Sequence, residues 1–393
     1  MFFADSHRAY FAELERFFAR GETVFLGNPH WTEAQRREAF AAEERFRARS
    51  RARERGRIFI ASGGSGGKIR FVAHTSETLE ASARGLVAAL GLPTGTPLNC
   101  FACLPPWHVG GLMPFVRARV SGGRLFVSEN GSFREGGSGG AEAFPEFRAG
   151  TGEFWMNSLV PTQLLRISAS PRGAEWARGF DFILLGGAAV PADLIADALA
   201  RGLKFGIGYG MTETASLVAL WRSESGLPVA GTPLPHARIS VSPADSRIEI
   251  SADSLGETLA DDGSLIPNAG GSFLTNDEGR IDEDGRLRVL GRADRHINSG
   301  GEKVDPAIVE SALLDAGASA ALVVGEPDAE WGERVVALAV SPRLGENELA
   351  EKIAPALAPW MRPKRIVCVP ELPFDEKGKI RRAELEALLR GNA

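Results

Sequence analysis

The pattern of apolar and polar positions reads as helix over residues 5–20 and again over 30–57. The second stretch ends in a basic run, Arg45, Arg47, Arg49, Arg51, Arg53, Arg55 and Arg57, with Glu43, Glu44 and Glu54 among them, as on a solvated helix face. In the middle of the chain FDFILLGG (180–187) reads as a buried strand. Pro191 then opens a helix that Gly202 ends, and LKFGIGYG (203–210) is the next strand. Strand, helix and strand in this order predict a parallel sheet. NGSFREGGSGGAEA (130–143) has no periodicity and reads as a mobile surface loop.

Toward the C-terminus the texture changes. Hairpin-like runs lie near 246–250 and 286–290, and a compact unit begins close to Gly291. In it Asp305 caps and Pro306 opens a helix closed by Gly317, ASAALVVG and RVVALAV alternate as strands, and a helix spans 346–358. There are no internal repeats. The fold class is therefore α/β, with a large domain of mixed and parallel sheets followed by a small α+β domain.

Charge narrows the function. Against 45 Lys and Arg stand 50 Asp and Glu, so no global positive field draws the chain to nucleic acid or anionic lipid, and a small-molecule partner is expected. No apolar run approaches the roughly 18 residues of a membrane span. Asp5, Arg8, Glu13 and Glu15 interrupt what would be a signal-peptide core, which predicts a cytoplasmic protein. Cys100 and Cys103, in CFAC, sit three apart in a strand-like run and so point to opposite faces; with no second pair to complete a metal site they read as core.

Several segments can carry chemistry. ASGGSGGKIRFV (61–72) places bare backbone N–H groups before a Lys and a strand, as a polyphosphate loop requires, although a plain flexible turn has the same composition. It is not a Walker loop, since Ser62 holds the first Gly position and Ile69 follows Lys68. Gly63 to Gly67 and Gly136 to Gly140 both match G-x-S-x-G, but neither opens a helix as a hydrolase elbow must. Gly206, Gly208 and Gly210 lack the third dinucleotide-binding Gly, because position 211 is Met. GYGMTETAS (208–216) follows a parallel strand, where ligands of open sheets bind. There Tyr209 offers a stacking face, Thr212 a donor to phosphate and Glu213 a ligand for magnesium, although a plain strand-to-helix turn with Thr212 as its cap accounts for the segment alone equally well.

NDEGR (276–280), LGRADRHINSGGEKVDPAIVE (290–310), EWGERV (330–335) and FDEKGKIRR (374–382) complete an ordered set. Together these motifs resemble the adenylate-forming superfamily of acyl- and aryl-CoA synthetases, carrier-protein adenylation domains and luciferases, over roughly residues 58–393. The resemblance implies a shortened N-terminal adenylation domain, residues 1–292, and a mobile lid domain, 293–393, with more chain before the phosphate loop than the 61 residues that precede Ser62. It implies ATP and CoA as co-substrates, Mg2+ as cofactor, and the reaction acid plus ATP to acyl-AMP plus pyrophosphate, then acyl-CoA plus AMP. A homo-oligomer remains open.

By the same resemblance Ser62, Gly63, Gly64, Ser65 and Gly66 bind the β- and γ-phosphates with Lys68 nearby, although Gly67 stands where the family has Pro. Gly186, Gly187 and Ala188, in GGAAVP, line the adenine and acyl pocket. Tyr209 stacks on adenine beside Gly210 and Met211, Thr212 meets the α-phosphate and Glu213 the metal. Asp277 binds ribose and Arg292 reaches ribose and phosphate; Asp294 aligns with the hinge. Lys379 neutralises charge gathering at the α-phosphorus, with Lys377 a replaceable neighbour. Gly300 and Gly301 let a pantetheine arm pass the backbone, and Trp331 packs near the CoA nucleotide.

For the acid, His108 in PWHVGGL and Thr162 in SLVPTQL are the implied contacts, with Gly186, Gly187 and Ser216. These segments most resemble o-succinylbenzoate–CoA ligases of menaquinone or phylloquinone synthesis, so an aromatic acid with a second carboxylate is expected. Arg117, Arg119, Thr162, Gln163 and Ser216 are the candidates to meet that carboxylate. Three rivals stand beside this reading: an enzyme that loads a carrier protein, a hydrolase, and a nucleotide-binding pseudoenzyme.

Overall fold

The computed structural model describes residues 1–49, 56–63, 69–93, 95–129, 133, 144–145, 150, 152–225, 230–299, 302–328, 331–374 and 380–391. Two compact units result, one formed by Met1–Ser240, Glu249–Leu274 and Ile281–Arg288, the other by Val241–Ile248, Thr275–Arg280 and Val289–Ala393. The strands Ala237–Val241, Arg247–Ala252, Phe273–Ile281 and Leu287–Arg292 each have residues in both.

The first unit is built on a seven-stranded sheet. Five strands run parallel in the order Phe205–Met211, Phe182–Leu185, Phe154–Leu159, Leu98–Ala102 and Leu125–Val127. Ser216–Arg222 and Thr232–Pro233 extend the sheet antiparallel beyond Phe205–Met211. Both faces are covered, which is why FILL could be an unbroken apolar run. Phe182 and Leu184 enter one core with Leu86, Leu98 and Cys100, while Ile183 and Leu185 enter the other with Phe101, Cys103 and Phe205. The two cysteines thus lie on opposite faces, as their spacing predicts. Helix Ala192–Ala200 follows Pro191 and stops before Gly202, whose φ of 69° only glycine adopts easily.

A second sheet runs Val24–Leu26, Ile58–Gly63, Ile69–His74, Glu257–Leu259 and Leu265–Ile266, the first pair parallel and the rest antiparallel. Helix His7–Arg20, capped by Ser6 Oγ, buries Tyr10, Leu14 and Phe17 with Leu26, Ile60 and Leu112. The predicted helix at 30–57 is Glu33–Arg49. Gly56 at φ 72° turns the chain, and Arg57 leads into the next strand instead of continuing the helix, pairing with Glu257 at 2.9 Å. The basic periodicity carried no stop signal. Arg51, Arg53 and Arg55 lie outside the described residues, as does the 130–143 stretch apart from buried Phe133.

In the second unit Ala320–Asp328 and Gly332–Val340 form a long hairpin, flanked by Ile297–Ser299 and Glu302–Val304 and by parallel Arg365–Cys368. Helix Pro306–Asp315 starts where Asp305 Oδ1 accepts from the Ala307 N–H at 2.9 Å. Val309, Leu313, Val335, Ala337, Leu349 and Ile353 share its core. The predicted 346–358 helix is α-helical over Glu346–Ile353 and tightens into the 3-10 turn Ala354–Ala356, where Pro355 donates no hydrogen bond.

Candidate active site

The carboxyl ends of parallel strands carry three of the predicted segments of the first unit. Gly186, Gly187 and Ala188 follow Phe182–Leu185, Thr162 follows Phe154–Leu159, and Thr212 and Glu213 follow Phe205–Met211. Gly187, Ala188 and Thr162 are exposed; Gly186, Tyr209, Gly210, Met211, Thr212 and Glu213 are half-buried, so a ligand can reach them.

The turn after Phe205–Met211 is tightly made. Register with Ser216–Arg222 slips between Tyr209 and Gly210, and a Cβ on Gly210 would stand 1.8 Å from Ser216 O. Thr212–Thr214 is one 3-10 turn. After it Ala215 and Ser216 hold left-handed φ of 50° and 87° with ordinary side chains, strain that clusters at functional sites. Thr214 is fully buried and secures the turn: its hydroxyl accepts from the Met211 N–H at 3.0 Å and lies 2.7 Å from Ser216 O.

Ser62, near the end of Ile58–Gly63, meets this turn. Its hydroxyl donates to Glu213 Oε1 at 3.0 Å, which joins the first residue of the predicted phosphate loop to the predicted metal ligand. Gly63 ends the strand; Gly64, Ser65, Gly66 and Lys68 lie outside the described residues. No group of three or more His, Cys, Asp or Glu among the described residues can hold a metal ion. A lone half-buried carboxylate fits magnesium, which is commonly held by one or two carboxylates together with substrate phosphates.

Sequence reasoning missed His74, which is fully buried at the end of Ile69–His74. Its Nε2 stands 2.7 Å from Thr212 O and its Nδ1 3.1 Å from Thr78 Oγ1. Burial drives its pKa from 6.5 down to about 4, against the pull of the Thr212 carbonyl, so the ring is neutral. A carbonyl only accepts, which places the ring proton on Nε2.

His108 takes the N-cap position of helix Val109–Ser121, half-buried and beside Trp107. Further along this helix Arg117 is 1% exposed. Its guanidinium donates to Ser158 Oγ and Ser216 Oγ, each at 3.2 Å, its Nε has no partner, and no ion pair to it exists among the described residues. Burial lowers its pKa to about 10. Of the five candidates for a second carboxylate, the structure unites Arg117 and Ser216. Arg119 instead packs over Phe18 and pairs with Glu15, and Gln163 caps its own helix by accepting from the Val160 N–H.

In the second unit Arg292 Nη1 donates to Asp277 Oδ1 at 3.4 Å, so these two predicted ribose contacts adjoin. Asp294 lies in the short turn Ala293–Arg295. Trp331 N–H donates to Asp328 Oδ1, and the Lys364 ammonium sits 4.1 Å over the Trp331 ring. Gly300, Gly301 and Lys379 lie outside the described residues.

An α/β fold with its candidate residues gathered at the carboxyl ends of parallel strands is what this arrangement defines, and comparison with known proteins gives its family. The family model of the AMP-binding enzyme matches residues 22–259, more than half of the chain, and that of the AMP-binding enzyme C-terminal domain matches 309–379. The chain belongs to the AMP-binding enzyme family. The match starts well before residue 58, so the N-terminal strands belong to the family fold as well.

The 2-succinylbenzoate–CoA ligase of Salmonella typhimurium is 33% identical over 311 residues, 78% of this chain and 63% of that protein. The ligase of the same name from Enterococcus faecalis is 31% identical over 317 residues, 76% and 63% respectively. The chain thus spans under two thirds of these relatives' length. Escherichia coli MenE, solved with a bound analogue of OSB-AMS, shares the fold with a TM-score of 0.71 at 22% identity, over 98% of this chain and 93% of that one. No described helix is long and apolar enough to cross a membrane.

Proposed function

We propose that this chain is an ATP-dependent acid–CoA ligase that adenylates an aromatic carboxylate, 2-succinylbenzoate in the first instance, and passes the acyl group to CoA. The observation that carries the reading is the meeting of Ser62 with Glu213 beside half-buried Tyr209 and Thr212, with buried Arg117, which has no ion pair among the described residues, bonded to Ser216 a few residues further on. The first group suits a nucleotide triphosphate. The second suits an acid with a further negative charge, because a buried guanidinium bonded to two neutral hydroxyls, with no carboxylate paired to it among the described residues, gains a charge-assisted bond when an anion arrives.

In this reading Ser62 and the loop after it cradle phosphates, Tyr209 stacks on adenine, and Thr212 donates to the α-phosphate. Glu213 would hold magnesium, which when bound neutralises phosphate charge. The acid's carboxylate oxygen attacks the α-phosphorus in line, and pyrophosphate leaves with the bonding pair. Lys379 stabilises the negative charge at that phosphorus. The CoA thiolate then attacks the acyl carbonyl and AMP departs, with His108 beside the acyl group. Asp277 and Arg292 serve the ribose, and Asp294 the hinge between residues 1–292 and the lid 293–393. Trp331, with Lys364 over its ring, favours CoA, whose nucleotide has an aromatic base and anionic phosphates, over a protein carrier. ATP and CoA as co-substrates place the activity in the cytoplasm.

The test is isotope exchange between pyrophosphate and ATP. Exchange that requires 2-succinylbenzoate supports the reading, and absence of exchange with every aromatic acid overturns it.

A further inference from the structure

We infer that His74 is a positioning residue for the Thr212–Glu213 turn, an inference that rests on the nucleotide-binding reading of that turn. The hairpin Ile58–Gly63 and Ile69–His74 pairs Ser62 with Arg70 and Ile58 with His74, so Ser62 and His74 stand at opposite ends of it. Both ends reach the same turn. Ser62 bonds the Glu213 side chain at 3.0 Å, and His74 bonds the Thr212 main chain at 2.7 Å. The hairpin that carries the phosphate loop thereby fixes the turn at two points.

A third contact completes the hold. The Gly256 N–H donates to Glu213 O at 2.9 Å, and a Cβ on Gly256 would stand 2.6 Å from His74 Cε1, so this backbone approaches the imidazole too closely for a side chain. Successive carbonyls of the turn, Thr212 and Glu213, are held by two groups that touch each other. Thr212 O also accepts from the Ala215 N–H at 3.1 Å, so His74 fills its second lone pair. Both ring nitrogens are placed, Nε2 on the turn and Nδ1 on Thr78 Oγ1, so the imidazole that holds the Thr212 carbonyl is itself fixed in orientation. Groups that fix the orientation of ligand-bearing residues govern affinity without touching the ligand.

The test compares His74→Gln, whose amide nitrogen reaches where Nε2 stands, with His74→Asn, whose amide reaches only as far as Nδ1, and with His74→Phe, which fills the space without a donor. Calorimetric affinity for magnesium ATP and the magnesium concentration giving half-maximal acyl-AMP formation are measured on each folded variant. The Gln variant is expected within threefold of wild type in both, and the Asn and Phe variants at least tenfold weaker, with KM for the acid changed less than threefold. Equal values for Gln and Asn, or an unchanged magnesium requirement in both, overturn the inference even if the Phe variant does not fold. If wild type forms no acyl-AMP but binds magnesium ATP, the proposed activity fails and the affinities alone decide on His74. If wild type binds no magnesium ATP, both fail.

Discussion

Ser62 and Glu213, 151 positions apart in the chain, meet through a single 3.0 Å hydrogen bond that ties the end of one sheet to the turn leaving another. A hydroxyl and a carboxylate so placed, both partly open to solvent, leave carboxylate lone pairs for a cation. Glu213→Gln keeps the shape and a partner for Ser62 but removes the charge. Acyl-AMP formation should fall by about a hundredfold, the scale of losing one electrostatic contact in a site of this kind, with a raised magnesium requirement. Initial rates over a magnesium titration check this.

Arg117 sets stability against function. With no carboxylate paired to it among the described residues, its burial is costly, and Arg117→Met should leave the melting temperature at or above that of wild type. The same change should raise KM for an aromatic acid with a second carboxylate at least tenfold, since a hydrogen bond to a charged group contributes about 1.5–3 kcal/mol. An aromatic acid with one carboxylate should be unaffected. Paired melting curves and KM values check both halves.

His74 makes stability fall in acid. Its folded pKa of about 4 lies below the 6.5 of a free imidazole, because burial disfavours the charged ring. Above pH 6.5 both folded and unfolded chains keep it neutral and its contribution is whole. Between 6.5 and about 4 only the unfolded chain takes up the proton, so stability drops by about 3 kcal/mol across that window, and below it no more is lost to this group. Urea unfolding at pH 7.5, 5.5 and 4.5 should show a smaller acid loss for His74→Gln than for wild type.

Much of this architecture is legible in the chain. FILL at 182–185 reads as a strand because a sheet covered on both faces needs no polar alternation, and Pro191 and Gly202 punctuate the helix after it. The end of Glu33–Arg49 is not legible, since charge periodicity continues past it. Candidate residues inside ordered motifs, such as Thr212 and Glu213, are singled out by the order of those motifs and the family they resemble. His74 is not, because a lone His after an alternating strand looks like any core imidazole until Thr212, 138 positions away, is folded against it. The preference for Arg117 over Arg119 is likewise tertiary: it rests on the bond of Arg117 to Ser216, 99 positions on.

Lys379→Ala should reduce acyl-AMP formation by about a hundred- to a thousandfold while magnesium ATP still binds, since its proposed role is charge neutralisation at the reacting phosphorus. Single-turnover assays with labelled ATP separate the two effects. A rate within a few-fold of wild type would remove Lys379 from the mechanism.

The central claim is tested most directly by mass spectrometry of the products formed from magnesium ATP, CoA and a panel of carboxylic acids that includes 2-succinylbenzoate. The account predicts AMP, pyrophosphate and a CoA thioester formed selectively from 2-succinylbenzoate. Acyl-AMP with no thioester, or no acyl product from any acid, would contradict it.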